Sequence, residues 1–360
     1  MKISKVIIIL LPLFFGYTSA LACTNITLKA KDGTVLVART MEFGPDLNSI
    51  IISSPRAKTF KTKAPDGKPG LSWNSKYGYI FADYFHCGHP VDGINEKGLS
   101  FGYLYLPGYT QYPTVPKGED SKAISYVDFA DWVLGNFSSA AQVKKALPRV
   151  DVFAKPLSFS NLKNVVFPLH AIITDAKGRS IVIEFVKGKV HVYNDKSGIL
   201  TNSPTFDWQI TNLKNYVNLS PYTPAPIKIN GQTYSVTGHG SGMLGLPGDL
   251  SPPSRFVKMT VLISTAIPVK NAMAALILAQ HIIDNVDIPR GMVRGEKGKK
   301  SPLPTTQWVI FKDLTHHILY FKFYNNPTLQ SVAMSKVNFS PNAKQIKIPI
   351  SRSQIIVNAM

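Results

Sequence analysis

Strand-like runs rich in apolar and β-branched residues occupy 26–30, 34–40, 79–82 and 99–106, and again 308–312 and 318–324. Between them the spacing of apolar residues changes to three and four, the period of a helix buried on one face. This happens over 126–137, continuing through 140–147, and over 269–286 with its Ala/Leu/Ile face. The stretch 170–175, the Ala176-Lys177-Gly178 turn and the run 180–186 predict a hairpin, which 189–193 extends. Strands flanking a helical middle predict sheets sandwiched by helices, an α+β arrangement. There is no internal repeat, and the Pro/Gly-rich stretches 64–70, 109–118 and 220–226 read as surface loops. A single domain over 23–360 fits this pattern better than two.

The first 22 residues stand apart. Lys2 and Lys5 precede an uncharged run over 6–15, and Ala20-Leu21-Ala22 leads into Cys23. That is the pattern of a signal peptide over 1–22, with an apolar core too short for the roughly 20 residues of a spanning helix. No later run reaches that length uncharged, so the mature chain is expected to be periplasmic or secreted, without stable membrane insertion.

The formal charge of +19 is scattered, and no aromatic platform accompanies its clusters, which argues against nucleic acid and weakly favours anionic small molecules or envelope surfaces. His86-Cys87-Gly88-His89 has no second ligand pair at zinc spacing except the adjacent His316-His317, and 238–245 lacks the Lys-Ser/Thr ending of a phosphate loop. Neither a metal nor another cofactor is expected. Only Cys23 and Cys87 are cysteines. A disulfide between them would consume the one candidate nucleophile.

That nucleophile opens a hairpin. Asp32-Gly33 separates two strand-like runs, and taken as a two-residue turn it sets Cys23 opposite Glu42, with Arg39 three residues back. A permanent cation stabilises a thiolate, and the α-amine of an N-terminal cysteine, with an ordinary pKa of about 8, serves as a general base near neutrality. Glu42 is then placed to hold the amine. The alternatives from these residues alone are a surface ion pair of Arg39 with Glu42, or lipid attachment at Cys23, although Ala20 stands where lipid sites usually carry Leu.

Several motifs in order resemble the choloylglycine hydrolase and penicillin V acylase family of N-terminal-nucleophile hydrolases. They are Cys23-Thr24, Arg39-Thr-Met-Glu42, Asp92-Gly-Ile-Asn-Glu-Lys-Gly-Leu99, Leu200-Thr-Asn202-Ser-Pro, 238–249 and Ser254-Arg255-Phe256. The resemblance covers nearly all of 23–360. It implies a four-layer αββα sandwich and hydrolysis of a linear amide through a thioester on Cys23. Asn202 and the Tyr105 N–H are then the oxyanion donors, Arg39 contacts the thiol, Glu42 anchors the amine, and Arg255 completes the polar network. The implied partner is a small-molecule acyl amide.

This sequence departs from the family pattern at Glu42, where many members have Asp, and at Tyr105, where bile-salt-cleaving members commonly have Asn. Tyr105 tilts the expected substrate toward phenoxyacyl or fatty-acyl amides, penicillin V and acyl-homoserine lactones among them, and away from conjugated bile salts. Members are often homotetramers, and 206–238 is the stretch where such contacts would form.

Overall fold

The computed structural model describes residues 22–159, 162–299 and 302–349, with Gln354 and Ile356. Of the expected signal peptide, residues 1–21 lie outside the described residues.

The chain opens with β1 (Cys23–Lys29) and β2 (Val35–Phe43), then lays down β3 (Ile50–Ser54), β4 (Tyr79–Ala82), β5 (Asp92–Asn95) and β6 (Ser100–Tyr105). Helices α1 (Tyr126–Asn136) and α2 (Ala140–Ala146) follow, and then β7 (Leu169–Thr174), β8 (Ser180–Val186) and β9 (Lys189–Asp195). Beyond them come α3 (Phe206–Asn212), α4 (Pro252–Thr265) and α5 (Ala272–Ile283), and finally β10 (Thr305–Asp313), β11 (Ile318–Phe323), β12 (Asn326–Ala333) and β13 (Lys347–Pro349).

Two sheets result. One runs β1-β2-β10-β11-β12, the other β9-β8-β7-β6-β5-β4-β3-β13. Helix α1 packs on β5 and β6 and α2 on β8, while α4 and α5 cover β1 and β2, and β1 meets β6 across the sheets. The layers are therefore helix, sheet, sheet, helix, the expected αββα sandwich.

A strand covered on both faces has no wet side. β2 is buried along eight of its nine residues, Arg39, Thr40 and Glu42 included. An apolar core side chain contributes about 1.5–3 kcal/mol by leaving water, whereas a buried charge must find partners in place. Burying three polar residues on one central strand thus marks the region where function outweighs packing.

The helical period expected across 126–147 is two helices. Phe137 leaves the helical conformation and Ser139 restarts it, its hydroxyl accepting from the Gln142 N–H at 3.3 Å. Part of the expected loop 64–70 is a turn between a strand pair, Thr59–Lys63 and Pro69–Asn74. Residues 222–240 are exposed throughout, including both faces of the small ribbon Ile227–Ile229 and Gln232–Tyr234.

The register of the first hairpin corrects the reading of the sequence. Ala30 N–H donates to Thr34 O (2.9 Å) and Gly33 N–H to Ala30 O (3.0 Å), with Gly33 left-handed at φ +92°. This is a three-residue loop, Lys31-Asp32-Gly33, not a two-residue turn. The extra residue slides the pairing by one, so Cys23 faces Met41 and Arg39 faces Asn25. Glu42 is not opposite Cys23. Because strand side chains alternate, Arg39 and Met41 lie on the Cys23 face and Glu42 on the other.

Candidate active site

Cys23 sits at the first position of β1, buried, on the inter-sheet side. Its sulfur is 3.6 Å from Arg39 Nη2 and 3.9 Å from Met41 Sδ. Its nitrogen, here in peptide linkage to Ala22, donates to Asn202 Oδ1 at 2.8 Å. The register explains the sulfur's partners, and a second bridge explains the nitrogen's. Asn25 N–H donates to Leu200 O (2.8 Å) and Leu200 N–H to Asn25 O (3.1 Å), which clamps the segment before Asn202 against β1.

Arg255, in the first turn of α4 and fully buried, closes the arrangement. It donates through Nη1 to Cys23 O (2.7 Å) and Thr24 Oγ1 (2.6 Å), through Nη2 to Asn202 Oδ1 (2.7 Å), and through Nε to Leu250 O (2.9 Å). Asn202 Nδ2 in turn donates to Tyr105 O at 2.7 Å. Four of the residues singled out in the sequence, Cys23, Asn202, Arg255 and Tyr105, are thus linked by direct hydrogen bonds, and Arg39 touches the sulfur.

The Tyr105 N–H has a definite direction. Along β6, Tyr103 N–H donates toward β5, to Val91 O (2.8 Å), and Leu106 N–H donates the other way, to Pro168 O (2.7 Å). Alternation turns the Tyr105 N–H toward the β5 side, beyond where that strand begins at Asp92. It points to the same edge as the Asn202 amide.

Glu42 is different. Its Oε1 accepts from Thr306 Oγ1 at 2.8 Å, Oε2 is buried without a partner, and it makes no bond to the Cys23 nitrogen. Its backbone N–H, however, donates to Ala22 O at 3.0 Å. Burial pushes its carboxyl up to about 7, against the opposing pull of Arg255 and the Thr306 hydroxyl. Burial likewise raises the Cys23 thiol, Arg39 lowering it and Glu42 adding to the rise.

The raised Glu42 predicts a pH dependence of stability. Between the ordinary value of 4.5 and about 7 the unfolded chain has lost this proton while the folded chain keeps it. Folding stability therefore falls as pH rises through that window, by up to about 3 kcal/mol. Glu42→Gln keeps the neutral shape and flattens the slope. Urea titrations of both proteins at pH 5 and pH 8 read this, and identical slopes would refute it.

The two cysteines are both free. Burial holds the Cys87 thiol up at about 11, so it is no rival nucleophile. His89 bonds Asp131 (Nδ1 to Oδ2, 2.8 Å), and the loop that carries it supplies Tyr84 and Phe85 to the cavity beside Cys23. That cavity measures about 440 Å³ with its mouth and is walled by Phe43, Leu47, Tyr84, Phe85, Phe167 and Leu169, with Tyr105 at its side.

Two features were not assigned from the sequence. His170 and Glu184, both fully buried, support the Asn202 segment: Glu184 Oε1 contacts His170 Nδ1 (3.0 Å) and accepts from Phe206 N–H (2.9 Å), and His170 Nε2 donates to Thr201 O (3.0 Å). The other is an ion pair between the sheets, Lys312 Nζ to Asp92 Oδ1 and Oδ2 at 2.7 and 2.8 Å. Lys312 has a signal in the sequence, since a lysine inside the run Trp-Val-Ile-Phe-Lys-Asp is a charge where a buried strand is predicted.

An αββα sandwich with a cysteine opening the first strand, its own nitrogen and sulfur both in polar contact, is the architecture of N-terminal-nucleophile hydrolases. The sequence model of the linear amide C-N hydrolases, choloylglycine hydrolase family, matches residues 23–348. Bile salt hydrolase/transferase of Clostridium perfringens is 37% identical over 325 residues, covering 89% of this chain and 94% of the relative. A solved variant of conjugated bile acid hydrolase from Clostridium perfringens superposes with a TM-score of 0.82 at 31% identity, covering 94% of this chain and all of that one. Penicillin V acylase of Pectobacterium atrosepticum is more distant, 26% identical over 351 residues, covering 92% and 86%. The chain belongs to the choloylglycine hydrolase family of linear amide C–N hydrolases, and it is a hydrolase of carbon–nitrogen bonds.

Proposed function

We propose that this hydrolase is exported, is trimmed after Ala22, and cleaves amides of apolar acyl groups through a thioester on Cys23. The observation that carries the reading is one residue with its nitrogen 2.8 Å from Asn202 Oδ1 and its sulfur 3.6 Å from a buried guanidinium. Trimming turns that nitrogen into an amine of ordinary pKa about 8, able to take the thiol proton. The sulfur then bonds the substrate carbonyl carbon, and the carbonyl electron pair moves to oxygen. The Tyr105 N–H and the Asn202 amide receive that oxyanion, donors typically worth about 3 kcal/mol each. Collapse breaks the C–N bond, and the leaving nitrogen takes the proton held by the Cys23 amine. Water, giving a proton to the same amine, cleaves the thioester and frees the acid.

An apolar acyl group is supported by the aromatic and aliphatic wall of the cavity and by the Tyr105 ring beside it. This favours phenoxyacyl amides such as penicillin V, or fatty-acyl amides such as acyl-homoserine lactones. A second reading, conjugated bile acids, is supported by the 37% identity to the bile salt hydrolase/transferase.

One experiment separates them. The precursor is expressed in an exporting host, the mature terminus read by mass spectrometry, and penicillin V, an acyl-homoserine lactone and glycocholate assayed. We expect a free Cys23 terminus and a kcat/KM for one of the first two at least ~10-fold above glycocholate, the scale on which pocket shape discriminates. Faster glycocholate cleavage replaces the first reading by the second. A lipid on Cys23, or no turnover from a free Cys23, overturns the thioester mechanism.

A further inference from the structure

The guanidinium of Arg39 has an unusual neighbour. Asp92 Oδ2 lies 3.8 Å from Arg39 Nη1, an ion-pair distance too long for a hydrogen bond, and Arg39 Nε and Nη1 make no hydrogen bond, while Nη2 donates to Tyr103 O beside the sulfur and the guanidinium lies over the Trp308 ring. A buried arginine beside a carboxylate ordinarily forms a two-pronged pair at about 2.7–2.9 Å. Here that carboxylate is held instead by Lys312, through both oxygens, and Lys312 also points at Phe101 O at 3.4 Å. Arg39, Asp92 and Lys312 are all fully buried between the sheets. Space for the group comes from Gly102, where a Cβ would stand 3.1 Å from Asp92 Oδ2 and 3.7 Å from Arg39 Cδ.

Resting on the reading of Cys23 as nucleophile, we propose that Lys312 is a positioning residue: by holding Asp92 it keeps the Arg39 charge turned to the sulfur. The layer carries two cations and one anion, one positive charge over, and the thiolate formed during reaction is the missing negative charge. Without Lys312, Asp92 closes on Arg39, neutralises it and draws it off the sulfur. The other ionisable groups around the thiol are its own amine, Glu42 on the back of β2, Arg255 on α4, and Tyr103 and Tyr105 on β6. None of them contacts Asp92.

The test measures the rate at which iodoacetamide alkylates Cys23 against pH, in the mature protein carrying Cys87→Ser. It needs no substrate, so a failure to hydrolyse any amide overturns the mechanism above without touching this result. Lys312→Met should move the midpoint up by about one pH unit, and Asp92→Asn should move it down, the size expected when one opposite charge is gained or lost nearby. Lys312→Arg should stay near wild type. Opposite shifts from two partners in one ion pair cannot come from loosened packing. A midpoint that moves the same way in both variants, or in neither, overturns the proposal. If Lys312→Met does not fold, an unmoved or raised midpoint in Asp92→Asn alone does so.

Discussion

Cys23→Ala should leave a folded protein whose amide turnover falls by roughly four to six orders of magnitude, the loss seen when the nucleophile of a cooperating set is removed. The structural effect is small. The sulfur fills a buried site beside Met41 and Arg39, and its removal costs about 1 kcal/mol. Circular dichroism and a urea midpoint check the fold, and release of amine from the preferred substrate checks the chemistry. Cys23→Ser isolates the sulfur, because it keeps the amine and the shape while replacing a thiol by an alcohol that gives up its proton far less readily. Retention of even a tenth of wild-type turnover in the alanine variant would show that another group does the attack.

Arg255→Met is the second large effect, and it falls on stability as well as rate. The side chain donates to Cys23 O, Thr24 Oγ1, Asn202 Oδ1 and Leu250 O in full burial. Methionine fills the volume and takes the arginine donor from all four acceptors, Asn202 Oδ1 keeping only the Cys23 nitrogen. Breaking a buried, fully bonded charge site of this kind costs about 3–5 kcal/mol. Arg255 is also the foremost group holding down the Glu42 carboxyl, so the variant raises that acid further. Turnover should fall about 100-fold or more, because Asn202 loses one of the bonds that aim it at the oxyanion. Arg255→Lys should recover little of either loss, since an ammonium cannot span four acceptors. Urea titration and kcat measured together test the claim, and a variant that lost less than about 1 kcal/mol would contradict it.

The alternation of 26–30 and 34–40 and the aliphatic period of 269–286 made the hairpin and the last helix legible, because those patterns reflect burial within one element. Helix α4 was not legible. It begins Pro-Pro-Ser, which reads as a loop although Pro suits the first helical turn, and its inner face carries Arg255 among Phe256 and Met259. The register of the first hairpin failed by one residue because Asp32-Gly33 fits two loop lengths, and only the left-handed Gly33 after Lys31-Asp32 decides between them.

The site itself divides in the same way. Cys23 and Arg39 come together, though by sharing one face of the paired strands β1 and β2 and not by the pairing first read. Asn202, Arg255 and Tyr105 were named through resemblance to a family, since no local period joins positions so far apart in the chain. Asp92 with Lys312 is a contact that exists only once strands far apart in the chain have been brought together, and nothing in either flanking sequence states the partner. His170 and Glu184 stand across the predicted hairpin of β7 and β8, but only its register sets them opposite each other.

Ala22 is itself buried, and its carbonyl is bound by the Glu42 N–H as if β1 began one residue early. Peptidases grip an extended, accessible stretch of chain, and the bond between Ala22 and Cys23 offers none once β2 has closed over it. If trimming falls there, excision and closure are ordered in time. The leader must be cut while the hairpin is still open, and a chain that folds first is sealed as an unprocessed precursor.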